Sequence, residues 1–106
     1  MKKIKVVRLS GCSWCESLTS QLDKLNLTYE SIDANVNDDL ADKLEDLLDT
    51  VSYPIVGIES PTISYYLFRP KDTKGVGRTI ISNSITKIGC LTAEEMITQI
   101  KNLIYE

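Results

Sequence analysis

The chain has 106 residues, with 12 basic and 15 acidic side chains and a formal charge of −3, the size of one compact domain with a single core. An acidic balance argues against nucleic-acid binding, which calls for a basic excess, and no apolar run reaches the roughly eighteen residues of a membrane span. The chain contains no histidine, which removes Ser-His triads and the commonest metal ligand.

Met1-Lys2-Lys3 ahead of an apolar run imitates a secretory leader, but Lys5 and Arg8 interrupt that run. With three cysteines and no leader, a reducing, cytoplasmic setting is expected, where a Cys-x-x-Cys is catalytic or metal-binding more often than a permanent staple. Ile4, Val6, Val7 and Leu9 predict a buried strand, punctuated by Gly11. Ser13 and Glu16 fit a capping box, opening a helix in which Cys15, Leu18, Leu22 and Leu25 share one face and Asn26 ends the run.

Residues 27–33 read as a second strand. Asn37, followed by Asp38 and Asp39, caps a second helix with Leu40, Leu44, Leu47, Leu48 and Val51 as its apolar stripe. The acids Asp42, Glu45, Asp46 and Asp49 are a solvated face. Residues 55–59 and 63–68 form a hairpin about Ser60-Pro61-Thr62, and 69–78 is a polar loop with Gly75 and Gly77. Residues 80–88 contain more strand-like material, broken by Ser82-Asn83-Ser84. Thr92 and Glu95 form a second capping box before a helix that buries Met96, Ile97, Ile100, Leu103 and Ile104. The order β-α-β-α-β-β-α predicts an α/β fold with a mixed four-stranded sheet and helices on both faces.

Cys12 and Cys15 lie between a strand and a helix, where two thiols can close a small reversible disulfide. Cys12, at the helix entry, is expected to be the nucleophile, because unpaired N–H groups and the helix dipole favour a thiolate there. Cys15, one turn inward, is expected to resolve the mixed disulfide. Trp14 between them offers an apolar surface to a substrate. Half of a zinc site is the rival, but zinc needs four ligands and only a distant Cys90 is added. Cys90 reads as a small buried residue.

These features resemble the glutaredoxin family of the thioredoxin-fold superfamily. Cys12-Ser13-Trp14-Cys15 resembles the family's Cys-Pro-Tyr-Cys, Val51-Ser52-Tyr53-Pro54-Ile55-Val56 its cis-proline element, and Gly89-Cys90-Leu91-Thr92 its Gly-Gly turn and helix cap. The resemblance implies a single thioredoxin-like domain over 1–106 and a thiol–disulfide oxidoreductase of protein disulfides or glutathione mixed disulfides. It implies catalytic Cys12 and Cys15, and glutathione or substrate contacts at Trp14, Tyr53, Pro54, Gly89, Cys90 and Thr92. Glutathione is the implied reductant with no tightly bound cofactor, and disulfide-containing proteins, ribonucleotide reductase among them, are the implied partners of a monomer. Ser13, in place of proline, keeps open a glutathione-dependent iron–sulfur carrier with a bridging cluster. A redox-inactive domain that binds a partner through Tyr53 and Pro54 is the third reading. Pro61 competes with Pro54 for the cis position. The hairpin favours Pro54, which would bring the end of the second hairpin strand, with Arg69, Lys71, Lys74 and Arg78, toward the thiols to hold carboxylates.

Overall fold

Strict alternation along the central strands creates two apolar faces, and the helices divide between them. The structure, a computed structural model, describes residues 2–48, 51–70, 79–82 and 85–105. In chain order these form β1 (Lys3–Arg8), α1 (Ser13–Lys24), β2 (Glu30–Asp33), a short 3-10 turn (Ala34–Val36), α2 (Asp38–Leu48), β3 (Val51–Glu59), β4 (Ser64–Pro70), β5 (Thr79–Ser82), β6 (Ile85–Gly89) and α3 (Ala93–Ile104). Ile4 and Val6 of β1, Val56 and Ile58 of β3 and Leu67 of β4 pack with Leu18 and Leu22 of α1 and Met96, Ile97, Ile100 and Leu103 of α3. Val7, Ile55 and Phe68, one residue out of phase, pack on the other face with Leu44 and Leu48 of α2. A side-chain period of two thus decides which helix each strand residue meets.

The sheet has six strands in the order β2-β1-β3-β4-β6-β5, a correction to the expected four. The helices on both faces and the mixed pairing are as expected for a thioredoxin-like fold. The two additional strands come from residues 80–88, whose polar break at 82–84 separates an antiparallel pair in which Ser82 lies opposite Ile85. β6 then runs parallel to β4, with Leu67 opposite Ile88 and Phe68 opposite Gly89. This covers the outer edge of β4, whose N–H and C=O groups would otherwise stand unpaired. Lys87 Nζ donates to Leu47 O at 2.7 Å, tying β6 to the end of α2, where a cation also meets the negative end of the helix dipole.

Four local expectations also shift, the first being Val51, which begins β3 rather than closing the stripe of α2. α1 is capped by Cys12, in extended conformation, rather than by Ser13, which becomes its first helical residue. β2 starts at Glu30, not at 27, and Arg69 belongs to β4 rather than to a loop. Asn26 takes a positive φ of 57° just after α1, a conformation Asn tolerates better than most residues. Thr92 caps α3 as expected, its Oγ1 accepting the Glu95 N–H at 3.0 Å.

Strand direction fixes where chemistry can gather. β1 and β2 are parallel, β3 is antiparallel to β1, and β4 is antiparallel to β3. One end of the sheet therefore holds the C-termini of β1, β2, β4 and β6 and the N-terminus of β3. Cys12, Pro54, Arg69 and Gly89 all belong to that end. Lys71, Lys74 and Arg78 lie outside the described residues.

Candidate redox site

β1 delivers the chain into a turn in which Gly11 takes φ +72° and the Cys12 N–H donates to Leu9 O at 3.4 Å. Glycine suits that left-handed position because it has no Cβ to collide with the carbonyl. Asp33, at the end of β2, steadies the turn by accepting from Ser10 Oγ at 3.3 Å, while its other oxygen accepts from Asn35 N at 2.9 Å. The helix then starts at once. Cys12 and Cys15 are joined as a disulfide with a Cα–Cα distance of 5.2 Å. The Cys15 N–H donates to Cys12 Sγ at 3.2 Å, and the Glu16 N–H donates to Cys12 O at 3.1 Å. Cys15 is 1% exposed while Cys12 remains partly open to solvent. The pair is polarised, with Cys12 partly open to solvent and Cys15 buried.

Trp14 carries a cation on its face. The Arg69 guanidinium carbon lies 3.5 Å from the centre of the Trp14 ring, a close cation–π contact. Partial burial of that guanidinium lowers its pKa from the usual value.

The Tyr53–Pro54 peptide is cis, Pro54 is fully buried, and Pro61 sits in the turn between β3 and β4. β3 and β4 shift register between Ser52 and Val56, so Tyr53 falls in a break of the ladder. Its side chain packs toward α2, and its hydroxyl donates to Glu45 Oε1 at 3.4 Å. Burial first, then the charge of Glu45, pushes the Tyr53 phenol above its ordinary pKa.

On the far side of the disulfide, an open cleft of about 460 Å³ is lined by Ser13, Trp14, Ser17 and Gln21 of α1 and by Thr92, Ala93 and Glu94 at the start of α3. Thr92 and Glu94 also border a neighbouring hollow that reaches Gly89 and Cys90. The structure thus brings Trp14 and Thr92 together, with Gly89 and Cys90 adjoining, while the Tyr53 side chain points toward α2. The backbone donors of the last segment are engaged within the chain. The Cys90 N–H donates to Phe68 O at 2.8 Å, and the Leu91 N–H donates to Glu95 Oε2 at 3.3 Å. Ser17 and Gln21 are additions to the residues singled out from sequence, whereas Arg69, expected near the thiols, lies on Trp14. Ser13, Ser17 and Gln21 recur at every fourth position, which makes a polar stripe on α1 visible in the sequence itself.

Cys90 is 1% exposed, and burial, reinforced by the charge of Glu95, pushes its thiol up to about 11. A thiol whose pKa is raised by folding contributes stability that is complete below its unfolded value and is lost as pH climbs through the folded one. In the oxidised protein, where Cys12 and Cys15 do not titrate, the urea midpoint is therefore expected to hold up to about pH 8 and to fall between about 9 and 11. Cys90→Ala should flatten part of that fall. An unchanged alkaline slope in the variant would remove Cys90 from the account, leaving the tyrosines, of which Tyr29, Tyr53 and Tyr66 are also raised.

The glutaredoxin family model matches residues 3–60, from β1 through the whole of β3. No curated protein and no solved structure matches the chain significantly. The matched span holds the helix-entry disulfide and the cis-proline strand, and β4, β5, β6 and α3 extend beyond it. A family profile spanning more than half of the chain, on a sheet that presents a polarised Cys-x-x-Cys at a helix start, supports a thiol–disulfide oxidoreductase-like role and shows that the chain belongs to the glutaredoxin family.

Proposed function

We propose that the protein reduces protein disulfides or glutathione mixed disulfides through the Cys12/Cys15 dithiol, with glutathione as reductant in a reducing compartment such as the cytoplasm. The observation that carries this reading is the unequal burial of the two sulfurs, Cys12 partly open and Cys15 1% exposed. Only a thiolate attacks a disulfide. At Cys12 the helix dipole and the Cys15 N–H, 3.2 Å from the sulfur, favour that anion.

In the first step the Cys12 thiolate attacks one sulfur of the substrate disulfide. A new S–S bond forms, the old one breaks, and the distal substrate sulfur leaves as a thiolate. Cys15 then gives its proton to solvent and attacks Cys12 Sγ, which releases the second substrate thiolate and leaves the internal disulfide. Two glutathione molecules reduce that disulfide and become glutathione disulfide, so two electrons move in each half-reaction. The cleft beside Trp14, with Ser17, Gln21 and Thr92, has the size and polarity to hold the peptide part of a thiol substrate.

Coupling decides between reductants. Oxidised protein with glutathione, glutathione reductase and NADPH is expected to reduce hydroxyethyl disulfide, and NADPH with thioredoxin reductase alone is expected to leave it untouched. Turnover with the flavoprotein only would overturn glutathione dependence while keeping the thiol chemistry.

A further inference from the structure

Arg69 lies near the C-terminal end of β4, opposite Ser52 of β3, in phase with Leu67 and so on the face that carries α1. Its guanidinium is stacked on Trp14, the only tryptophan of the chain. Stacking occupies the flat face of a guanidinium. The N–H donors radiate in its plane and stay available for a bidentate pair with a carboxylate. No carboxylate among the described residues pairs with Arg69. Trp14 adjoins Cys15 and is two residues from Cys12, so this cation is held beside the disulfide rather than at a remote surface.

We infer that Arg69 binds a carboxylate carried by the thiol partner, close to the sulfur under attack, so that the site selects acidic disulfides. The inference rests on the oxidoreductase reading above. The partly buried guanidinium has lost hydration with no counter-ion among the described residues, and an arriving carboxylate restores what burial removed. The net charge of −3 repels acidic partners at long range, so the selection belongs to short-range pairing and not to steering by the whole surface.

Protein reduced and freed of reductant is mixed with three small disulfides, and oxidation is followed by Trp14 fluorescence. Dithiodipropionate is anionic, hydroxyethyl disulfide neutral and cystamine cationic. The wild type is expected to favour the anionic over the cationic disulfide by about tenfold, the worth of one charge-assisted hydrogen-bonded pair. Arg69→Gln is expected to erase that preference with the neutral rate within about twofold, and Arg69→Lys, which keeps charge but not the fork, to fall between. Two sources of carboxylate are separated by comparing glutathione disulfide with its ethyl ester, and a mixed-disulfide peptide bearing Glu beside the cysteine with its Gln counterpart. Sensitivity to the first change alone assigns the tripeptide, and to the second alone an acidic protein segment. An equal loss on all three small disulfides in Arg69→Gln would overturn the inference in favour of an effect on the thiolate, as would a preference that survives the substitution. A wild type that reacts with none of them would instead defeat the oxidoreductase reading, and this inference with it.

Discussion

Cys12→Ser is expected to lower turnover of every disulfide substrate by at least about a thousandfold, because a serine hydroxyl at neutral pH supplies neither the anion nor the soft sulfur that the exchange needs. The companion Cys15→Ser should behave differently. With Cys12 intact, a glutathione mixed disulfide can still be attacked, and a second glutathione can take the place of Cys15 in resolving it. That variant should keep a substantial part of its activity on glutathione mixed disulfides, lose it on protein disulfides, and accumulate a covalent adduct of one substrate thiol visible by mass spectrometry. The asymmetry follows from burial: a substrate can approach Cys12, whereas Cys15, 1% exposed, is placed to meet Cys12 Sγ rather than a sulfur arriving from solvent. Steady-state rates on both substrate types check it. An active Cys12→Ser with an inactive Cys15→Ser would mean that the roles run the other way.

How far the sequence foretold this arrangement depends on the range of the interaction involved. The apolar spacing of Cys15, Leu18 and Leu22, the Thr92–Glu95 box, and the strand of Ile4, Val6 and Val7 are local patterns that reappear as read, whereas Leu25 becomes the exposed C-cap of α1 and Leu9 lies past the end of β1. Pro54 could be preferred over Pro61 because the segment around Pro61 already had a better use as a hairpin turn, and the cis bond at Tyr53–Pro54 agrees. The cap of α1 was displaced by one residue because Ser13 and Glu16 satisfy a pattern of residue types, whereas the cap is decided by which residue is still extended. Here that residue is Cys12, φ −87° and ψ 109°.

The non-local features were less legible. Residues 80–88 announce β structure through their own composition, yet insertion of β6 between β4 and β5 is a statement about partners, and no short window contains both. Arg69 is a partial exception, since the hairpin with Pro54 as its cis residue already brought it toward the thiols, and only its seat on the Trp14 ring went unforeseen. Tyr53 shows the limit from the other direction. Its peptide bond to Pro54 is cis, as the resemblance implies, but its ring turns to α2 because strand parity puts it on the face of Ile55 rather than that of Val56.

Leu18→Ala is expected to cost about 2–5 kcal/mol, the range for emptying a well-packed leucine site. Leu18 is 0% exposed and lies one turn beyond Cys15 on the same face of α1, in the cluster that joins that helix to Val6, Val56, Leu67, Met96 and Ile100. Residues of the sheet and of α3 share that cluster, so neighbouring atoms cannot close the cavity without moving an element. Against a total stability of about 5–15 kcal/mol, such a loss is large, and for a domain of this size it lowers Tm by roughly 10–30 °C. Calorimetry on the oxidised protein checks it, with exposed Ser20→Ala as the comparison expected to stay within about 0.5 kcal/mol. The same variant tests what α1 does for the chemistry. The amide that faces Cys12 Sγ belongs to the first turn of this helix, and Leu18 and Leu22 pack that helix onto the sheet and α3. Well below its new Tm, Leu18→Ala should therefore exchange disulfides at close to the wild-type rate, while in the reduced protein its buried Cys15 thiol becomes accessible to alkylation over a wider temperature range. A stability loss under about 1 kcal/mol would mean that α1 does not seat on the sheet as described, and the burial that protects Cys15 would need another source.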